Sequence, residues 1–198
     1  MSSASALRLG RAWPLLYWAP TGMVLLHYFY TPQVITGRSM QPTLNPDSSQ
    51  LWRDVGLFDR FSIHTRHSFN RGDIVSLRSP VDPRRMLVKR IVGLEGDFVL
   101  PRGPYPEDAV RVPEGHAWVE GDEGFHSDDS TRFGPVPLAL VDSKLVMLLW
   151  PWSRTGLLDQ PNFTKDGTPM RREDMAALER ERNRQMRVTR ASKTYNPS

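Results

Sequence analysis

From Ala12 to Gly37 the chain carries no charged residue, and Ala12–Tyr30 (AWPLLYWAPTGMVLLHYFY) is mostly apolar. About 20 residues at about 1.5 Å rise each cross a ~30 Å hydrocarbon core, so this segment is long enough for one span. Trp13, Tyr17 and Trp18 near one end, with Tyr28 and Tyr30 at the other, suit the two headgroup regions. Pro14 and Pro20 weaken the helix locally, which a span tolerates better than an exposed helix does. A cleaved secretory signal would have a shorter apolar part and a small-residue cleavage site. A buried core helix rarely carries so many aromatics without one acid or base. Residues 12–30 are therefore expected to form a single transmembrane anchor, with His27 a lipid-boundary side chain. Arg8 and Arg11 precede it, so residues 1–11 should stay on the negatively polarised side and the remaining ~165 residues should lie across the membrane.

The acid-free, Ser-rich start MSSASALRLGR also has the composition of a mitochondrial import signal. The chain contains no cysteine, which excludes a disulfide scaffold, thiolate metal sites and a cysteine nucleophile. Seventeen prolines and 14 glycines argue against a helical bundle and for short strands joined by turns. Val55–Ile63, Asp73–Leu77, Met86–Leu94, Phe98–Leu100, Ala117–Glu120 and Leu145–Trp150 are short, rich in β-branched or aromatic residues, and separated by Gly, Pro and Asp. The fold class expected is mainly β: an all-β domain, barrel or sandwich, over residues 34–152. A charged tail follows over 153–198, helical or disordered. Its one helical candidate, Glu173–Val188, has a thin apolar stripe (Met175, Leu178, Met186).

The net charge of +4 sits entirely in that tail, where nine Lys/Arg face five acids from Thr164 onward. The body is neutral. A mixed-sign tail without interleaved aromatics or a reading motif reads as a solvated helix, and no nucleic-acid partner is expected. Asn162-Phe163-Thr164 has the form of a glycosylation acceptor, which matters only in a secretory compartment.

Ser39 stands in Gly37-Arg38-Ser39-Met40-Gln41-Pro42-Thr43-Leu44, a turn close behind the apolar segment. From this segment alone it is a turn serine or a nucleophile. A serine hydroxyl needs a base. His126 with Asp122, Asp128 or Asp129 is one arrangement, although no G-x-S-x-G elbow is present. The spacing of His64 and His67 suits a metal, but no third ligand completes the set. Lys89 is another base. Strand alternation puts Leu87, Lys89 and Ile91 on one face, and a lysine between two aliphatic residues is either a snorkelling side chain or a buried amine of lowered pKa. Bringing it from ~10.4 to near 8 requires about 3 kcal/mol.

The blocks SM-PTL (Ser39–Leu44), RGDIV (Arg71–Val75), KRIVGLEGD (Lys89–Asp97) and GD-x4-S-x-DS-x3-GPV (Gly121–Val136) resemble the type I signal peptidases, in order and behind an anchor. The final block and Asn45-Pro46 most resemble the second-subunit branch of the mitochondrial inner-membrane peptidases. The resemblance implies a Ser/Lys endopeptidase that needs no cofactor and no metal. It also implies single-pass anchoring in the inner membrane with the catalytic domain in the intermembrane space. Expected partners are precursors with cleavable presequences, a sister catalytic subunit forming a heterodimer, a small accessory subunit and the lipid bilayer. Carried over by position, Ser39 is the nucleophile and Lys89 the general base. Ser127 orients the amine, Asp129 holds the loop, Gly121 and Asp122 form the turn carrying it, and Met40 lies near the cleft. Two positions depart from the pattern. Gly37 stands where many relatives have a serine that helps the oxyanion hole. Thr131, with Arg132 after it, stands where many have arginine. Competing readings are a self-cleaving repressor, which would need an N-terminal DNA-binding domain in place of the apolar span, and a non-catalytic anchored β-domain.

Overall fold

Alternating β-branched and polar residues, interrupted every few positions by Gly, Pro or Asp, give short strands that pair antiparallel throughout. The computed structural model describes residues 17–24, 28–46, 53–124, 127–157 and 172–190. The strands are β1 (Tyr30–Val34), β2 (Val55–Asp59), β3 (Ile74–Arg78), β4 (Met86–Leu94), β5 (Phe98–Val99), β6 (Val110–Arg111), β7 (His116–Glu120), β8 (Val136–Pro137), β9 (Val141–Trp150), β10 (Gly156–Leu157) and β11 (Val188–Thr189). An eight-stranded sheet runs β1-β2-β9-β3-β4-β7-β8, with β10 paired to β9. A second sheet runs β11-β5-β6. Register shifts in the β2–β9, β3–β9 and β4–β7 pairs bend the large sheet on itself. One core fills it with Val75, Leu77, Leu87, Ile91, Val119 and Val141. A second gathers Ile35, Met40, Leu44, Phe58, Ile74 and Leu148 beneath the Ser39 turn. A third places Val92, Val99, Val110, Val112 and Trp118 under the small sheet.

The mainly β class stands, with several boundaries moved. The strand expected over Val55–Ile63 stops at Asp59, whose carboxylate accepts from Ser62 N–H at 3.0 Å and Ser62 Oγ–H at 2.5 Å. That turns the chain into a short helix, Phe61–His64. Strand β9 starts at Val141 rather than Leu145, because Val141, Ser143 and Lys144 pair with β3. Strand β1 begins at Tyr30 and pairs with β2 from Tyr30↔Asp59 to Val34↔Val55. Its Pro32 sits on an edge strand, where a missing N–H is tolerated. Of the expected anchor, residues 12–16 and 25–27 lie outside the described residues. Residues 17–24 are helical, and among the described residues no helix is long and apolar enough to cross a membrane.

The tail differs most from expectation. Its helix spans Arg172–Met186 and ends before Val188, because Val188 and Thr189 pair with Val99 and Phe98. Arg184 is buried rather than solvated. Val188 packs on the third core. The stretches 158–171 and 191–198, with the glycosylation triplet, lie outside the described residues.

Gly93 sits at the β4–β7 register shift, where a Cβ would lie 2.7 Å from Val99 Cγ2. Valine is stiff at χ1 and cannot swing away cheaply. Gly93→Ala is expected to destabilise the fold by about 1–3 kcal/mol, measured by denaturant unfolding. An unchanged midpoint would show that the third core has slack there.

Candidate active site

The Ser39 turn is fixed from below and from both ends. Met40 and Leu44 are buried in the second core, and Leu44 N–H donates to the Met40 carbonyl at 2.9 Å. Asn45 closes the turn at φ 50°, a left-handed conformation that asparagine tolerates better than most residues. Its amide donates to the carbonyls of Ile35 and Gly37 at 2.8 and 3.2 Å. Asn45 and Asp54 also exchange backbone-to-side-chain bonds at 2.8 and 2.7 Å. Arg154 then bridges the Asp54 carboxylate at 2.5 Å and the Thr43 carbonyl at 2.6 Å. Gly37 has φ +92° with open space around its Cβ position. The site of the departed serine is thus unfilled.

Lys89 occupies the middle of the row Leu87-Lys89-Ile91 on β4, and all three are buried. Its side chain is among the largest fully buried ones, at 1% exposure. Burial lowers its pKa from 10.5 to about 8. Asp129, Asp128 and Asp122 pull it back up, and Arg85 pushes it down. Lys89 Nζ donates to Ser127 Oγ at 3.0 Å.

The loop after β7 joins these two elements. Gly121 lies between Ser39 and Ser127. A Cβ there would stand 2.4 Å from the Ser39 carbonyl oxygen and 2.3 Å from Ser127 Oγ. Glu123 N–H donates to that same Ser39 carbonyl at 3.1 Å. Asp129 accepts from Gly121 N–H at 2.9 Å, and from Thr131 N–H and Oγ1–H at 3.0 and 2.7 Å. It caps the short helix Ser130–Phe133. Ser130 Oγ ties the helix back to β7, accepting from Val119 N–H at 2.9 Å. The structure thus brings Lys89 and Ser127 together and packs the Ser39 main chain against the same glycine. The departure at Thr131 is absorbed locally: its hydroxyl serves Asp129, while Arg132 pairs with Asp128.

Asp122 ties the parts together. Arg90, next to the lysine but facing the other way, holds it through two bonds at 2.9 and 2.7 Å. Arg184 of the tail helix adds one at 2.6 Å, and the Thr43 side chain lies near enough to favour its charge. Burial would raise the Asp122 pKa, but Arg90, Arg184 and Thr43 outweigh it and hold it below the ordinary value. Two positions away, buried Glu120 accepts from Trp118 Nε1 at 2.9 Å and from Arg187 at 2.9 and 2.6 Å.

The sequence reading missed Asp54, Arg154, Glu120, Arg90, Arg184 and Arg187. Only Arg90 had a local signal, since alternation sends it to the face opposite Lys89. His126, the histidine of the alternative triad, lies outside the described residues. His64 and His67 line a groove with Ile63, Phe69 and Leu94. Among the described residues no group of three His, Cys, Asp or Glu is placed to hold a metal.

This architecture has relatives. The family "Signal peptidase, peptidase S26" matches residues 11–104. Mitochondrial inner membrane protease subunit 2 of Schizosaccharomyces pombe is 43% identical over 149 residues, covering 75% of this chain and 81% of that protein. Its counterpart in Danio rerio is 45% identical over 143 residues, covering 72% and 76%. Mitochondrial inner membrane protease subunit 1 of Mus musculus is 38% identical over 130 residues, covering 64% and 74%. A signal peptidase I from Enterococcus faecalis V583 covers 39% of this chain and 97% of its own, at 27% identity and a TM-score of 0.35.

Gly121 has no room for a methyl group, because one of its two close neighbours is main chain. Gly121→Ala is expected to push the Ser39 turn and Ser127 apart. It should lower kcat on a peptide substrate by about 100-fold or more, as misplacements near 1 Å do. Steady-state kinetics on folded protein check this, and an active alanine variant would show that the glycine does not set the spacing.

Proposed function

The chain belongs to the type I signal peptidases, on the branch of the mitochondrial inner membrane protease subunits, and from that premise we propose that Ser39 is its nucleophile and Lys89 its general base. One observation carries the assignment. The Lys89 amine is buried, held by Ser127 at 3.0 Å, and lowered to a pKa of about 8 beside the glycine that seats the Ser39 main chain. At pH 7.4 a pKa of about 8 leaves roughly one amine in five unprotonated, against about one in a thousand at the ordinary value. Burial therefore raises the population of working base about 200-fold.

The steps follow from these groups. A precursor segment lies extended beside a strand and presents its scissile carbonyl. The unprotonated Lys89 donates to Ser127 and keeps its lone pair for the Ser39 hydroxyl. Ser39 Oγ bonds to the carbonyl carbon as its proton passes to Lys89, and backbone N–H groups, including that of Ser39, stabilise the oxyanion. The Lys89 ammonium then protonates the leaving amine and the C–N bond breaks. Water, deprotonated by Lys89, cleaves the acyl-enzyme and frees Ser39. Ser127 and Asp129 position the base, Met40 anchors the turn in the core, and Gly37 leaves the substrate side open.

In the cell the substrates are precursors with cleavable presequences. The chain is anchored by residues 12–30, with residues 1–11 in the matrix and the domain from 34 onward in the intermembrane space. It works beside the sister catalytic subunit, with a small accessory subunit completing the complex. The membership, the apolar uncharged segment and the arginines before it support this placement.

Ser39→Ala and Lys89→Met should each abolish presequence cleavage in a reconstituted assay, and Lys89→Arg should fail too, because guanidinium stays protonated. Wild-type kcat should rise with pH through a midpoint near 8 and then level. Cleavage by the alanine or methionine variant would end the assignment.

The same burial has a stability consequence of definite sign. The native lysine binds fewer protons than the unfolded one between pH 8 and 10.5, so its penalty is complete below pH 8 and fades as pH rises to 10.5. Lys89→Met should therefore stabilise the protein at pH 7 by about 1–3 kcal/mol, with the gain shrinking towards pH 10. Thermal unfolding at the two pH values checks it, and a destabilised variant would mean the amine is well solvated or well paired.

A further inference from the structure

The tail helix inverts the usual arrangement of a surface helix. An amphipathic helix buries its apolar stripe, yet Met175 and Met186 are 56% and 64% exposed while Arg184 is 8% exposed. What this helix delivers to the body is a cation. Arg184 is held on its own helix by Glu181 at 3.0 and 2.8 Å and reaches Asp122 at 2.6 Å. One turn on, Arg187 clamps Glu120, and its carbonyl accepts from Leu100 N–H at 2.8 Å. Strand β11 then locks the segment to β5.

We propose that the C-terminal helix is a working part of the active site, and that Arg184 is a positioning residue that sets the Ser39 turn and the Lys89 strand through Asp122. The inference rests on the Ser39/Lys89 reading. Asp122 is bonded to Arg90 beside Lys89 and to Arg184, and it lies near enough to Thr43 on the Ser39 turn for that side chain to favour its charge. Two cations, Arg90 and Arg184, face two carboxylates, Asp122 and Glu181, so the network is balanced. Removing Arg184 leaves a buried carboxylate undercompensated, and breaking a buried pair disturbs everything that shares it. Thr43 and Gly121 sit on the two segments that meet at Ser39, so the disturbance reaches the nucleophile. The charge reaches the base as well. Asp129, Asp128 and Asp122 face Lys89 as acids and Arg85 as the cation. An Asp122 stripped of Arg184 would hold the Lys89 proton more tightly.

The test uses the full-length chain reconstituted with its sister subunit and an internally quenched peptide spanning a presequence junction with alanine at the −1 and −3 positions. Arg184→Ala should lower kcat at least about tenfold with KM within about threefold, since the loss is one of orientation rather than substrate contact. The midpoint of its pH–kcat profile should rise by about half a unit, which simple loss of stability would not produce. Arg184→Lys should recover most of kcat, because an ammonium still reaches Asp122. Arg184→Gln, which keeps a donor but no charge, guards against an alanine variant that fails to fold; it should retain more kcat than alanine and show the same upward midpoint. Arg182→Ala, exposed on the same helix, should match wild type. Folding is verified by near-ultraviolet circular dichroism, below each melting point. Folded Arg184 variants with wild-type kcat and midpoint, alongside inactive Ser39→Ala and Lys89→Met, would overturn the inference and leave the dyad standing. A cleaving Ser39→Ala would instead overturn the reading beneath it.

Discussion

A lysine that works as a base near neutral pH must be dry, and dryness is what this structure arranges around Lys89. Lys89 is buried in a row with Leu87 and Ile91, and its amine meets Ser127 as a neutral hydrogen-bond partner. Three carboxylates stand near enough to pull its pKa back up, so the value of about 8 is a balance rather than a consequence of burial alone. That balance holds only while the carboxylates are occupied elsewhere. Asp129 is engaged by main-chain N–H groups and a threonine hydroxyl, Asp128 by Arg85 and Arg132, and Asp122 by Arg90 and Arg184. The loop hydrogen bonds around the site are therefore electrostatic as well as architectural.

The choice of cation follows the same logic. The chain has 22 arginines and only four lysines. Guanidinium stays charged in any protein environment and offers paired donors to a carboxylate. Asp54, Asp97, Asp122 and Glu120 are buried acids, each held by arginine. An ammonium can lose its proton when desolvated, and among the described residues Lys89 is the buried lysine. The cations that hold the frame and the lysine proposed as base are thus of different residue types, and titration of that lysine need not loosen the frame. Such pairs contribute little net stability and more to fixing one arrangement.

Alternation along β4 was enough to place Lys89 between two aliphatic neighbours, because side-chain direction in a strand has period two and needs no knowledge of partners. The blocks around Ser39 and Gly121–Ser130 were legible for a related reason: each is a turn whose Gly, Pro and Asp carry local backbone constraints. Arg154, Arg184 and Arg187 were not legible. Arg154 meets Asp54 across 100 residues and Arg184 meets Asp122 across 62, and nothing in the local pattern of an arginine-rich helix marks which arginine will be buried. Counting charges made the tail look solvated, since it is indeed the basic part of the chain. What decided its placement was two acids in the body that needed cations, and Asp122 had been read as a turn residue or as a partner for His126. Likewise β1 was not legible: Tyr30 read as the end of the apolar run and residues 31–33 were unassigned, because Tyr30–Val34 is uncharged and its pairing with β2 is set by a strand more than 20 residues away.

The Ser39 turn, the Lys89 strand, the loop after β7 and the tail helix are far apart in the chain and meet around Gly121 and Asp122. A glycine without room for a methyl group and a carboxylate with three kinds of partner are opposite devices for one purpose. The first sets a minimum separation by steric contact, and the second holds the segments from moving apart. Contact repulsion is steep and short-ranged, whereas charge-assisted bonds are directional and resist separation. Together they confine the Ser39 main chain to a narrow range relative to Ser127, which is the confinement a proton transfer between a hydroxyl and an amine requires. A site built this way has its tolerance set by side chains that never touch substrate. The arginine from the end of the chain therefore belongs in the same physical account as the lysine from its middle.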